Sequence, residues 1–278
     1  MARAENKEMA SPTAQMMAEV ARTMRIKRKW TQEHLGNEIG YSAAAVSAME
    51  TCAQPASDDM LAALERVLGD GMGIFESARR YTRMEKYPEQ FKNYALLEQD
   101  AVGLQLYATF VVHGLFQTEA YARALIGGGY PPLSDARVEE LVEARMARKA
   151  LFDRELVALI ELVLEESVLT RGIGSQEIMR DQMRYLAECA RRRNVTLQVL
   201  PLDCGLGGEH AGDRGDINLV ERPAHDRLLF LEVQDESLLI SDPAEVSTRA
   251  QRYAKIRAQA LDPRKSLGLI ERLAGDEE

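Results

Sequence analysis

Cysteine is scarce and scattered in this chain of 278 residues: Cys52, Cys189 and Cys204, with no CxxC pair. An odd, dispersed set argues against a disulfide framework and suits a reducing cytosol. Long apolar runs are missing too, since none approaches the roughly 20 residues that span a bilayer. The opening stretch MARAENKEMASPT has no apolar signal-peptide core, so a cytoplasmic protein that avoids the membrane is expected. Only four histidines are present. Cys204, Glu209, His210 and His225 follow no standard zinc spacing, and neither metal nor cofactor is expected. Gly172–Glu177 (GIGSQE) lacks the third glycine and the Lys-Ser/Thr pair of a phosphate loop, and reads as a glycine turn before a capped helix. No nucleophile–base constellation emerges, which argues against an enzyme. Finally, there is no basic excess: the net charge is −9, an unpromising sum for a nucleic-acid binder.

What is present is enough chain for two units. Hydrophobic residues make up 46% and charged residues 28%, so each unit can bury a core without covalent staples. The charge is unevenly placed. Arg22, Arg25, Lys27, Arg28 and Lys29 crowd one short run (RTMRIKRK), while the first eighty or so residues are close to neutral, leaving the negative excess further on. A run like this is most often a solvated face and by itself does not argue for phosphate contact.

Met17, Val20, Ala21 and Met24 fall at i, i+3, i+4 and i+7, one stripe of an amphipathic helix. Thr31 then caps a short helix with Leu35 and Ile39 inward, and Gly40-Tyr41 breaks it. Ser42 caps a third, pointing Val46 and Met49 inward. After Pro55, Ser57 caps a fourth with Leu61, Leu64 and Leu68 buried, and Phe75 belongs to a fifth. Residues 10–82 are therefore predicted to form an all-α unit of about five helices.

The stretch Thr31–Glu50 (TQEHLGNEIGYSAAAVSAME) resembles the helix-turn-helix of λ-repressor-like regulators of the xenobiotic-response-element family. That resemblance implies sequence-specific binding to double-stranded DNA, with the helix after the turn in the major groove. It places Gln32 on a phosphate, exposes Ser42, Ala43, Ala44, Ser47 and Ala48 to the groove, and makes Lys27, Arg28, Lys29 and Thr51 backbone contacts. Arg25 and Glu50 read first as a structural salt bridge. One departure matters. Recognition helices usually offer Arg, Asn or Gln to base edges, whereas Ala43-Ala44-Ala45 offers methyl groups, and Glu50–Pro55 lacks a customary arginine.

A connector is expected at residues 83–94. Residues 95–273 then read as an α+β domain with about five strands in a mostly antiparallel sheet: Leu156–Leu164, Val195–Leu200, Asp216–Val220, Leu228–Val233 and Ser237–Ile240. Helices start at Ser134, Ser175, the capping box Asp242-Pro243-Ala244-Glu245, and Asp262-Pro263. Val112–Ala124 (VHGLFQTEAYARA) is similar to a motif of actinobacterial regulators of the WhiJ type. These join the same helix-turn-helix to a C-terminal domain of unassigned function. His113 stands where that motif has proline. The resemblance implies gene regulation, often with a small acidic partner protein encoded nearby. A homodimer is expected, with two modules on adjacent half-sites. Gln117, Thr118 and Tyr121 are candidates for ligand or partner contact. So are Glu209 and His210 in the polar, glycine-rich loop Cys204–Gly215, which suits a lid or partner contact less well than a disordered connection. The alanine-filled helix keeps a rival reading open: a protein–protein module that has lost DNA readout.

Overall fold

Short polar side chains set the helix starts. In the computed structural model, which describes residues 11–85, 89–155, 157–233 and 236–275, one such oxygen after another accepts from a backbone N–H that a first helical turn leaves unpaired. Ser11 opens α1 (Pro12–Lys27), Thr31 opens α2 (Gln32–Ile39), Ser42 opens α3 (Ala43–Glu50) and Ser57 opens α4 (Asp58–Leu68). The next helix, α5 (Ile74–Glu85), takes its cap from a distance: the Glu65 carboxylate accepts from Phe75 N at 2.8 Å and Gly73 N at 3.0 Å.

These five helices close on Met17, Ala21, Leu35, Val46, Leu64 and Phe75, all buried. Between α2 and α3 the chain turns over Gly40–Ser42. Gly40 takes the left-handed conformation at φ 80° that a side chain resists. The two helices approach so closely that a Cβ on Gly36 would sit 2.5 Å from the Tyr41 carbonyl oxygen. The chain divides into two compact units, Met1–Lys86 and Tyr87–Glu278. Acidic and basic residues balance in the first, so the second carries the whole net charge of −9.

In the segment read as a connector, α5 continues to Glu85 and α6 (Glu89–Asp100) begins at Glu89, with residues 86–88 outside the described residues. The second unit continues through β1 (Gly103–Ala108), α7 (Glu119–Gly127), α8 (Asp135–Ala147), β2 (Leu159–Glu165), α9 (Glu166–Thr170) and α10 (Gln176–Ala190). It ends with β3 (Val195–Leu200), β4 (Ile217–Glu221), β5 (Arg227–Val233), β6 (Glu236–Ile240), α11 (Pro243–Gln259) and α12 (Pro263–Ala274).

The strand order is β3-β2-β1-β4-β5-β6, six strands where five were expected. The sheet is mixed. β1, β2 and β3 run parallel through helical crossovers, whereas β4, β5 and β6 form an antiparallel meander joined to β1. The strand missing from the sequence reading is β1, at the centre of the sheet. Leu106 and Tyr107 are buried on opposite faces, so the polar–apolar alternation that marks a half-exposed strand is absent. Strand β2 starts at Leu159 rather than at Leu156, which lies outside the described residues.

Side-chain alternation sorts the unit into layers. Leu104, Leu106, Ile160, Leu162, Leu197 and Val220 face one way, against α7, α10 and α12. Tyr107, Val163, Ile217, Leu219 and Leu229 face the other, beneath Val246, Tyr253 and Ile256 of α11. No described helix is long and apolar enough to cross a membrane.

Candidate functional site

Two places among the described residues are candidates, one in each unit. In the first, α3 presents Ser42, Ala43 and Ala44 exposed, with Ser47 and Ala48 half-buried. Ser42 Oγ is occupied as the cap, accepting from Ala45 N at 3.1 Å. Thr51 is exposed, and its hydroxyl donates to the Ser47 carbonyl at 2.8 Å. This face therefore offers methyl groups, two hydroxyls already engaged by backbone, and the half-buried Ser47 hydroxyl.

Behind α3 lies a charged clamp. Arg25 of α1 donates from Nε to Glu50 Oε1 at 2.6 Å and from Nη2 to Oε2 at 2.8 Å, and its Nη1 reaches the Trp30 carbonyl at 2.8 Å. Gln32 Nε2 adds a third bond to Glu50 at 2.8 Å. Burial works against the Glu50 carboxylate, but the bonds from Arg25 and Gln32 and the arginine charge outweigh it and hold its pKa below the ordinary value.

The basic run divides. The Arg28 guanidinium turns inward to the carboxy end of α4, bonding the Val67 and Leu68 carbonyls and Asp70, and lies over the Trp30 ring. Cations suit the carbonyl-rich end of a helix, so Arg28 is used within the fold. Arg22, Lys27 and Lys29 are exposed. Lys29 sits at φ 59°, in the left-handed region that ends α1.

The second place is a cavity of about 340 Å³ in the second unit, within the usual size range of small-molecule sites. Its floor follows from strand register. Asn218 of β4 lies opposite Phe230 of β5, and the two-residue period puts Asp216 and Glu232 on the same face. Phe230 stacks on Tyr94 of α6 with ring centroids 4.3 Å apart, giving one apolar wall. Arg145 of α8 and Arg148, in the turn after α8, form another wall with His113 and Gln117.

The groups around this cavity are unequally satisfied. Arg148 is locked in a bidentate pair with Glu98 at 2.6 and 2.7 Å, both side chains almost sealed from solvent. Arg145 Nη1 donates to Gln117 Oε1 at 2.9 Å. Burial, with Arg148 and Arg145 alongside, pushes the His113 imidazole well below its ordinary pKa, so it is uncharged at neutral pH. Asp216 accepts from Thr109 N at 2.9 Å and Thr109 Oγ1 at 2.5 Å, yet desolvation outweighs these bonds and raises its pKa. Desolvation likewise raises Glu232, against the pull of Arg145 and Arg148. Asn218 is 8% exposed, and its Oδ1 is buried with no donor.

Of the ligand or partner candidates named in this unit by sequence, Gln117 alone reaches the cavity wall, where its Nε2 also donates to the Val112 carbonyl at 2.6 Å. Thr118 caps α7 through Tyr121 N at 3.2 Å, and the buried Tyr121 hydroxyl accepts from Val112 N at 3.4 Å. Both hold the segment that carries Gln117. Glu209 and His210 line none of this cavity. Glu209 pairs with Lys255 of α11 at 2.7 Å, His210 is exposed, and Gln259 bonds the backbone on either side of His210. The glycine-rich loop read as a disordered connection or lid is thus tied to α11. At Gly212 it has no room for a Cβ, which would stand 2.2 Å from the Tyr107 hydroxyl.

Sequence reasoning missed Arg145, Arg148, Asp216, Asn218, Phe230 and Glu232. The available signal was small: Asp216, Asn218 and Glu232 are polar residues on a strand face that is otherwise apolar.

The family described as Domain of unknown function (DUF5753) matches residues 91–272, and the chain belongs to that family. No match was found among curated proteins or among solved structures.

Proposed function

For this member of a family of unassigned function, we propose a cytoplasmic DNA-binding transcriptional regulator of the xenobiotic-response-element type. The first unit binds operator DNA, and the second dimerises and senses a partner protein or small molecule. The observation that carries this reading is α2, the Gly40–Ser42 turn and α3, held by the Arg25–Glu50–Gln32 clamp with Ser42, Ala43 and Ala44 left outward. A motif locked from behind and bare in front supports the reading that α3 enters a DNA groove.

Lys27 and Lys29 supply the salt-sensitive, sequence-independent part of the affinity, and Gln32 retains an N–H for phosphate. Methyl groups on α3 contact thymine methyls or permit close approach, so each module reads bases weakly. Two modules on one homodimer offset that weakness by raising the effective concentration of the second. Exposed Leu238 and Leu239 on the edge strand β6 support a self-association surface. The decisive experiment is binding of the full chain to the promoter of its own operon across salt concentrations. A footprinted complex is expected, and absence of any specific complex at low salt overturns the proposal.

The alanine-lined face favours one rival, an assembly module that binds a small acidic protein encoded beside it. Pull-down of that protein, insensitive to operator DNA and abolished by charge reversal at Lys27 and Lys29, would establish the rival instead.

A further inference from the structure

The cavity in the second unit has a floor that no described residue completes. Asn218 Oδ1 is an amide oxygen removed from water with no donor, a state that is costly when left unmade. It stands on β4 beside two carboxylate positions of the same face, Asp216 just before the strand and Glu232 diagonally across on β5. Asp216 Oδ1 takes both donors of Thr109. A floor of amide and carboxylate oxygens asks for donors from the occupant.

The opposite wall does not reverse that sign. Arg148 is neutralised by Glu98, His113 is uncharged, and the one charge of Arg145, bonded to the neutral Gln117 amide, faces the two carboxylates Asp216 and Glu232. The surrounding protein raises the pKa of Asp216 and of Glu232 although each side chain keeps surface open to the cavity mouth, and a cation placed beside them favours their charged forms. The remaining lining is apolar: Phe230 and Tyr94 stacked, with Leu125, Ile126 and Leu141.

We infer that this cavity is a binding site for a small organic cation, a protonated amine or amidine on an apolar body. Its N–H groups donate to Asn218, Asp216 and Glu232, while the body packs on Phe230. The inference deepens the sensing role proposed for the second unit, and only its regulatory consequence rests on that role.

The test uses the full chain without DNA, titrated with phenethylamine and benzamidine by calorimetry and thermal shift. Phenethyl alcohol and phenylacetate serve as neutral and anionic counterparts. Saturable binding of at least one cation is expected, with the counterparts at least tenfold weaker. Asn218→Leu and Asp216→Asn should each weaken cation binding at least tenfold. Asp216→Asn is isosteric and can still accept from Thr109, which keeps the comparison valid if Asn218→Leu fails to fold. Failure of both cations to bind, preferential binding of phenylacetate, or cation binding untouched by Asp216→Asn overturns the inference. Promoter binding is scored in a separate assay, so loss of the DNA reading and loss of the cation site are distinguishable.

Discussion

Arg25 and Glu50 meet end-on across twenty-five positions of sequence, joining α1 to the last residue of α3 through two parallel hydrogen bonds of 2.6 and 2.8 Å. The Glu50 side chain is 2% exposed and that of Arg25 is 11% exposed. Truncating one partner strands the other charge away from water, at a cost of about 3–5 kcal/mol. Glu50→Ala should therefore unfold the first unit at a markedly lower temperature in calorimetry. The pH dependence has a definite sign. Because the folded pKa of Glu50 is depressed, its contribution is complete above the unfolded value of about 4.3 and disappears as pH falls through the folded pKa. Glu50→Gln should flatten the acid limb of the melting curve; an unchanged limb would assign it to other carboxylates.

The proposed phosphate contacts and the structural use of Arg28 separate within the basic run. Lys27→Ala and Lys29→Asn should each reduce the slope of log affinity against log salt by about 0.9. Asparagine is chosen at 29 because the residue sits at φ 59°, which Asn tolerates better than Ala. Arg28→Ala, by contrast, should lower the melting temperature and leave the slope largely intact, since its guanidinium is spent on α4. An equal slope change in all three variants would contradict this division.

Glu98 pairs with Arg148 of the cavity wall, both side chains sealed from solvent. Glu98→Ala leaves a sealed guanidinium without its partner and should cost about 3–5 kcal/mol in denaturant unfolding. The double replacement Glu98→Leu with Arg148→Met removes both charges and should recover most of that loss. A double variant as unstable as the single one would show that the pair contributes more than mutual neutralisation.

Gly36 presents two opposed effects. Alanine in a helix interior is favoured over glycine by about 1 kcal/mol. Its Cβ, however, would stand 2.5 Å from the Tyr41 carbonyl oxygen, which is backbone and cannot turn aside; forced overpacking costs typically about 1–3 kcal/mol. The clash should win, so Gly36→Ala is expected to destabilise the first unit, measured as a drop in thermal midpoint.

Helix starts were legible because a cap is a local event: Thr31, Ser42, Ser57 and Asp242 each bond an N–H two or three residues ahead. The outward face of α3 was legible for the same reason, since one helical period settles it. The fate of Arg28 was not, because its acceptors arrive from α4 some forty residues later. The cavity was hidden more deeply. Tyr94, His113, Arg148, Asn218 and Phe230 come from five separate segments, and no spacing rule links them. Strand β1 escaped because a centre strand covered on both faces loses its alternation.

That centre strand has a consequence for how the chain is made. Leu104 must find Ile160 on one side and Val220 on the other, and neither exists when β1 leaves the ribosome. At about 5–20 residues per second, β1 waits several seconds for its first neighbour and longer for the second. Through that interval its leucines and both backbone edges are open to any other strand. Yield during synthesis, and the demand placed on chaperones, will therefore be set at β1 before the completed sheet has any stability to offer.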